Sequence, residues 1–563
     1  MMRHFIGKLT FVLGCAVCTA LPARAQTTNH NFEVMKHLDI FNQLYRELDL
    51  FYVDTLSAKK NIGNAINYML EMIDPYTEYY AAENTNDLKQ MTTGKYAGIG
   101  SVISYRDELK RCIIEKPYEG NPAADAGLLP GDIILAIDGK DIPTCDSKDL
   151  EKRAEYSNSV STGVRGEPGT TLELKVRRPT NNRTYTFKVT RRSILIPSVA
   201  LATVLSDSIG YIKITQFIEG TSNEVRRAMV DLKQQGARSL ILDLRNNPGG
   251  VLEEAVKTVN LFIPRGREVV NMKSKVKEAN QTYKTVLDPQ DPDIPLIVLT
   301  NEQSASSSEI TAGALQDYDR ALIVGRRTYG KGLVQQSREL AYKGALKLTV
   351  GKYYIPSGRC VQAYEFRDGM PVHRPDSLSR EFRTANGRIV RDGGGIKPDV
   401  EIKSDSLPNL LAYMDASTQL FDFCVNYCAK HPKIAQPEDF SISDDEYADF
   451  CEFMKKHKFT YDRQSLRVLE TLKTFARFEG YDTEARAEIE ALEKKLKHNE
   501  DYDFKRWKPE IKKVLEAAIV ERYYFDAGRY RYLLRTDKEV QQAVKLMRNT
   551  KAMLKTLSGE PEA

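Results

Sequence analysis

Residues 301–335 read NEQSASSSEITAGALQDYDRALIVGRRTYGKGLVQ. Ser306 lies in a turn of small residues, Ser304, Ala305, Ser307 and Ser308. Lys331 follows twenty-five positions later between Gly330 and Gly332, and Gln335 four beyond that. The apolar run Leu296–Thr300 predicts a buried strand, 306–317 a helix and 321–324 another strand. A serine at such a strand-to-helix turn is exposed by its small neighbours. The first turn of a helix also leaves backbone N–H groups unpaired, so a nucleophile and its oxyanion donors can share one turn. The same serine also suits a plain helix N-cap.

A serine nucleophile needs a base. The seven histidines stand at 4, 30, 37, 373, 431, 457 and 498, so none lies between His37 and His373. A lysine can replace imidazole when it is neutral, which near pH 7 requires burial to lower a reference value of about 10.4 by roughly three units. Lys331 has apolar neighbours, although a solvated turn lysine is the plain alternative. Residues 325–331 also spell G-x-x-x-x-G-K. The next residue is Gly332 rather than Ser or Thr, and Leu333-Val334-Gln335 reads as strand, which argues against a phosphate loop.

Outward from this stretch, residues 208–355 alternate strand and helix. Strands are expected at 209–215, 239–244, 296–300, 321–324 and 346–354, with helices at 221–235, 251–261 and 306–317, which is an α/β pattern. Upstream, 95–192 reads as a β-rich unit with strands at 98–105, 112–116, 133–137, 172–177 and 185–189 and glycine turns between them. Residues 26–94 carry two amphipathic stripes, Phe32, Met35, Leu38, Phe41, Leu44, Tyr45 and Leu48, then Ile62, Ile66, Met69, Leu70 and Ile73. Residues 365–395 are polar and glycine-rich and read as a surface excursion. Beyond 406 the chain is helical and charged, with no assignable motif.

Several segments together resemble the C-terminal processing (tail-specific) serine proteases. They are S-A-S-S-S-E-I-T-A-G-A-L-Q-D from Ser304, R-A-L-I-V-G from Arg320, T-Y-G-K-G-L-V-Q from Thr328 and L-D-L-R-N-N-P-G-G ending at Gly250. The preceding unit resembles a PDZ domain through Y-A-G-I-G-S at 96–101, N-P-A-A-D-A-G-L-L-P-G-D-I-I-L-A-I-D-G at 121–139 and V-R-G-E-P-G-T at 164–170. With the readings from the residues, the resemblance gives a multidomain α+β chain: signal peptide 1–25, N-terminal helical region 26–94 and C-terminal helical domain 406–563 from the residue pattern, PDZ domain 95–192 and crotonase-like α/β protease core 193–405 from the resemblance. It implies Ser306 as nucleophile, Lys331 as general base and Gln335 as the residue orienting the lysine. It also implies the backbone N–H groups of Gly250 and Ser307 as the oxyanion hole, where relatives usually carry Ala in place of Ser307. A PDZ domain takes a peptide as an added strand and holds its carboxylate in a nest of backbone amides. Gly98, Ile99, Gly100 and Ser101 match that loop, Ile99, Val102 and Leu128 suit an apolar last side chain, and Arg165 is expected to relay occupancy to the active site.

The formal charge is +5, and +2 once Arg3, Lys8 and Arg24 of the first 25 residues are set aside, too weak to argue for nucleic acid or an anionic membrane. Basic residues at 3 and 8, an apolar run at 11–21 and Ala23-Arg24-Ala25 read as an export signal, placing the protein in a periplasm. A lipid anchor through Cys15, preceded by Val12-Leu13-Gly14, and a buried N-terminal helix are the alternatives. Six cysteines remain after cleavage, Cys112, Cys145, Cys360, Cys424, Cys428 and Cys451, as disulfides of unassigned pairing or as free thiols. Cys424, Cys428 and His431 share a helix face, with Cys451 downstream. That arrangement suits either zinc or a packed apolar face, and no metal or cofactor is expected. The functional reading is an exported serine endopeptidase acting on proteins or peptides with exposed C-termini, with a homodimer and an adaptor as candidate partners. Its rivals are a catalytically silent PDZ scaffold and a crotonase-like acyl-CoA enzyme.

Overall fold

Strands such as Leu240-Ile241-Leu242 and Leu296-Ile297-Val298-Leu299 have no polar face, so the sheet they form needs cover on both sides. In the computed structural model, which describes residues 22–403, 407–496 and 500–559, that cover comes from two distant parts of the chain. The expected leader, including Cys15, falls largely on residues 1–21, outside the described residues.

The central sheet has six strands in the order Val199–Val204, Ile209–Ile214, Ser239–Asp243, Leu296–Thr300, Leu322–Gly325, Val400–Glu401. The first pair is antiparallel and the rest are parallel. One face packs on helices Thr221–Gln234, Leu252–Val259 and Ser307–Asp317 through Val225, Met229, Ala255, Val259, Ile310 and Leu315. The other face presents Ile209, Tyr211, Ile241, Ile297, Leu299, Leu322 and Val324. It packs on Val540, Ala543, Met547, Met553 and Leu557 of the last two helices, Lys538–Arg548 and Thr550–Ser558. The end of the chain is therefore a layer of the α/β core. An antiparallel sheet beside it joins Leu333–Glu339, Ala345–Tyr354, Glu268–Ser274 and Gln281–Lys284.

The unit upstream is an antiparallel sheet in the order Ser101–Arg106, Arg111–Pro117, Ile133–Ile137, Thr171–Arg178, Arg183–Thr190. Helix Leu150–Val164 packs on it. The sequence hides this helix, because only Val160 and Val164 of its fifteen residues are buried and its apolar stripe is correspondingly faint. The strands Lys95–Gly98 and Arg192–Leu195, by which the chain enters and leaves, pair with each other.

The helical region after residue 406 has its own core around Leu410, Met414, Leu420, Phe450, Ile511, Leu515 and Ile519. It also grips the outer side of the upstream sheet. Phe421 packs with Ile113 and Ile133. Its ring lies between the guanidinium groups of Arg106 and Arg522, 4.4 and 4.3 Å from the centroid. Lys116 pairs with Glu521 at 2.6 Å and Asp526 at 2.5 Å, on either side of a break in helix Lys508–Leu534 where Phe525 has φ 55° and ψ −160°.

A separate compact unit holds the residues up to Tyr79 together with 366–370. Its helices Pro22–Phe51 and Ala58–Glu71 match the two expected stripes, but Phe32, Met35, Leu38, Phe41, Leu44 and Leu48 of the first are exposed. The polar excursion lies partly inside: Arg388 pairs with Asp319 and Asp399, both at 2.6 Å. The six cysteines carry free thiols. Cys424 is buried in the helical core, Cys428 neighbours Tyr523 and Cys451 neighbours Tyr447. Among the described residues no three metal-ligating side chains gather.

Candidate active site

Three adjacent parallel strands, ending at Asp243, Thr300 and Gly325, release three loops at their C-terminal edge, where open α/β sheets bind ligands. The first loop carries Gly250, the second Ser306 and the third Lys331.

Ser306 is the N-cap of helix Ser307–Asp317, and its backbone sits at φ 54°, ψ −113°. A non-glycine residue held there costs on the order of 1–3 kcal/mol and persists only where its surroundings enforce it. The enforcement is visible. Ala305 N–H donates to Asn247 O at 3.0 Å, Ser308 Oγ to the same carbonyl at 2.9 Å, and Ser307 Oγ to Gly250 O at 2.9 Å. The serine turn is thus laced to the first loop, fifty-odd residues earlier.

Gly249 and Gly250 permit that approach. Gly249 has φ +99°, and a Cβ there would come within 2.8 Å of Ser306 Cβ and Ser307 N. Gly250 has φ +139°, and a Cβ would stand 1.9 Å from Phe217 O, which accepts the Val251 N–H at 2.7 Å. A side chain at either position would force the loop off the serine turn. Neither the Gly250 nor the Ser307 N–H donates to an acceptor among the described residues.

Glu309, three residues past Ser306, joins the second and third loops. Its carboxylate is fully buried and accepts four hydrogen bonds. Oε2 takes Ser306 N–H at 2.9 Å and Lys331 N–H at 2.8 Å; Oε1 takes Thr328 Oγ1–H at 2.6 Å and Gly330 N–H at 2.8 Å. Two of these bonds end on one oxygen, so the backbone nitrogens of Ser306 and Lys331 can be no farther apart than those two bonds laid end to end. Tyr353, also fully buried, repeats the link from the adjoining sheet: its hydroxyl donates to Lys331 O at 2.7 Å and lies 3.3 Å from Ser306 O, the second acceptor within its reach. Burial holds the Tyr353 phenol well above its ordinary range, so it stays a donor.

The sequence reading missed both residues. Glu309 had a legible signal, since Ser306-Ser307-Ser308-Glu309 is the S-x-x-E pattern of a capping box. Tyr353 had none, because nothing in a strand shows which buried tyrosine will reach two carbonyls. Gln335 lies on the strand leaving the Lys331 loop, and its amide donates to Thr349 Oγ1 at 3.2 Å on the paired strand.

Burial pushes the Glu309 carboxyl up to about 7, against the pull of its four donors. Its raised value means that its contribution to stability is present below about 4.5 and is lost as pH rises to about 7, a change of about 3 kcal/mol. Replacement by Gln removes that titration and points an amide N–H₂ at donors that need an acceptor, at about 1–3 kcal/mol for each bond lost. We expect Glu309→Gln to lower kcat by about a hundredfold with KM little changed, the cost of misplacing reacting groups by an ångström. Its thermal midpoint should also lose the component that falls between pH 4.5 and 7 in the parent. Steady-state kinetics and melting curves across that range check both.

The expected peptide-binding loop lies beside a cavity of about 230 Å³ between the first strand and helix Leu150–Val164. Ile99, Ser101, Val102 and Arg165 line it, with Tyr96 and Val164, while Gly98, at the end of its strand, and Gly100, in the turn, do not. Leu128 does not reach the cavity. It is 1% exposed, in the core cluster of the unit that also holds Ile114 and Ile134. Arg165 caps its helix and pairs with Asp87 at 3.3 Å, a half-exposed pair worth little by itself.

Residues 208–371 match the model of peptidase family S41, residues 113–178 a PDZ domain, and residues 410–547 the C-terminal helical domain of probable PDZ-proteases. A carboxy-terminal-processing protease of Bartonella bacilliformis is 33% identical over 371 residues, covering 65% of this chain and 82% of the relative. A probable CtpA-like serine protease of Staphylococcus epidermidis is 33% identical over 425 residues, covering 74% and 83%. A solved photosystem II D1 C-terminal processing protease is 26% identical with a TM-score of 0.34, over 65% of this chain and 87% of that one. With sheet, turn and PDZ unit in place, the chain belongs to peptidase family S41, as a serine protease of the carboxy-terminal-processing group.

Proposed function

We propose that this protease cleaves by a Ser306/Lys331 dyad. The observation that carries the reading is the single Glu309 carboxylate oxygen gripping the backbone of both residues. Ser306 Oγ attacks the scissile carbonyl carbon and its proton passes to the neutral Lys331 Nζ. The oxygen of the tetrahedral intermediate takes hydrogen bonds from the Gly250 and Ser307 N–H groups. Collapse breaks the C–N bond, the Lys331 ammonium returns the proton to the leaving amine, and an acyl-enzyme remains. Water, deprotonated by Lys331, then releases the acid and restores Ser306. Gln335, at the start of the strand that leaves the Lys331 loop, orients the lysine.

Substrates are proteins or peptides with an exposed C-terminus, whose carboxylate enters the turn at Gly98, Ile99, Gly100 and Ser101 while apolar Ile99 and Val102 take the last side chain. Arg165 relays occupancy, and Arg165→Ala is expected to slow cleavage of a tailed peptide several-fold while leaving a C-terminally amidated peptide unaffected; equal effects on both would remove the relay. Export to a periplasm, or anchoring through Cys15, is part of the reading on the leader's sequence. So is a homodimer or an adaptor, since helix Pro22–Phe51 leaves its apolar stripe open. The test is digestion of an unfolded protein with a free C-terminus by the parent and by Ser306→Ala. Equal rates would leave only a tail-binding scaffold.

A further inference from the structure

The chemistry proposed above uses nothing beyond residue 363, yet two carboxylates from the far end of the chain stand at the roots of the catalytic loops. Arg245 follows the strand ending at Asp243 and precedes Gly250 by five residues. Its guanidinium pairs with Asp243 at 2.6 Å, with Asp537 at 2.9 Å and with Glu539 at 2.5 Å. Arg326 follows the strand ending at Gly325 and precedes Lys331 by five. It pairs with the other oxygen of Glu539, and with Glu302 of the serine loop at 2.7 Å. The serine loop is tied to the first loop as well: Asn301 Nδ2 donates to Asn246 Oδ1 at 2.6 Å, and Asn246 N–H to Asn301 Oδ1 at 2.9 Å.

Charge explains why these carboxylates are needed. Asp243 is already engaged by Lys213 Nζ at 3.0 Å and Tyr211 OH at 2.7 Å. Lys213, Arg245 and Arg326 then face Asp243, Asp537 and Glu539, with the more exposed Glu302 at the edge, in a pocket where the Glu539 side chain is only 10% exposed. The supply is rigid. Asp537 caps helix Lys538–Arg548, accepting Glu539 and Val540 N–H at 3.0 Å each, and acidic groups suit a helix N-terminus. Val540, Ala543 and Met547 lock the same helix onto the sheet from which the loops emerge.

We propose that Glu539, assisted by Asp537, is a positioning residue for the protease. By bridging Arg245 and Arg326 it sets the Gly250 loop and the Lys331 loop relative to each other, and it touches neither substrate nor reacting atoms. This rests on the assignment of Ser306, Lys331 and Gly250. A neutral side chain at 539 removes the one carboxylate common to both arginines, leaving Arg245 to Asp243 and Asp537 and Arg326 to Glu302, so the two loops lose their tie while the substrate groove is unchanged.

The test uses the full-length chain and β-casein, an unfolded protein with a free C-terminus. Glu539→Gln is expected to lower kcat about tenfold or more with KM within about twofold, at a temperature where melting is still cooperative. Glu539→Asp keeps the charge but is one methylene too short for both arginines, and should fall about threefold in kcat alone. A kcat within twofold of the parent for Glu539→Gln, or a loss confined to KM, overturns the proposal. If the Gln variant does not melt cooperatively, Glu539→Asp decides, and a parental kcat there overturns it. Ser306→Ala runs alongside: residual parental cleavage would sink the dyad reading itself, whereas an inactive Ser306→Ala beside a fully active Glu539→Gln sinks only the positioning role.

Discussion

Ser306→Ala is expected to lower kcat for an unfolded, tail-exposed substrate by about 10⁴-fold or more, with KM nearly unchanged. The loss is large because one atom carries the bond-forming step and nothing in its place can. Lys331→Ala should be as severe, and the double variant little worse than either, because the two act as one unit. Folding should survive both changes. The turn is held by Ala305, Ser307, Ser308 and Glu309, and the Lys331 loop by its backbone N–H and carbonyl, none of which the substitutions remove. Single-turnover kinetics with melting curves measure this. A Ser306→Ala variant that turns over within tenfold of the parent would reject the nucleophile, and additive losses in the double variant would reject the dyad.

Ending the chain after Arg535 is expected to abolish the folded protease core. That truncation strips Val540, Met547, Met553 and Leu557 from the face formed by Ile209, Ile241, Ile297, Leu299, Leu322 and Val324. Burying a large apolar side chain is worth about 1.5–3 kcal/mol, so these helices contribute on the order of 6–12 kcal/mol, comparable with the whole stability of a typical domain. A parallel sheet with one bare apolar face aggregates or melts. The truncated chain should show no cooperative transition in calorimetry and should sediment as aggregate. A soluble product with a parental melting curve would show that the last two helices are dispensable. Met547→Asp is the milder form and should lower the midpoint without changing the charge cluster at Asp537 and Glu539.

Much of the core was legible in the sequence because its signals are local. The continuous apolar runs at 239–244 and 296–300, the small residues around Ser306 and the glycine pair at 249–250 each report on a few neighbouring residues. The strands and helices found there match expectation within a residue or two. Helix Leu150–Val164 escaped because two buried valines do not make a stripe.

By itself the sequence determined the order of strand, turn and helix, through its motifs the family, and the serine, lysine and glycine proposed for the site. The tertiary structure decided how these become one place. Glu309 binds two loops at once, Tyr353 reaches across from a second sheet, and Glu539 reaches Arg245 over 294 positions of chain. The physical reason is that periodicity and turn chemistry act over a few residues. Which buried carboxylate meets which guanidinium depends on where closed layers bring them, and that is settled only when both faces of the sheet are covered.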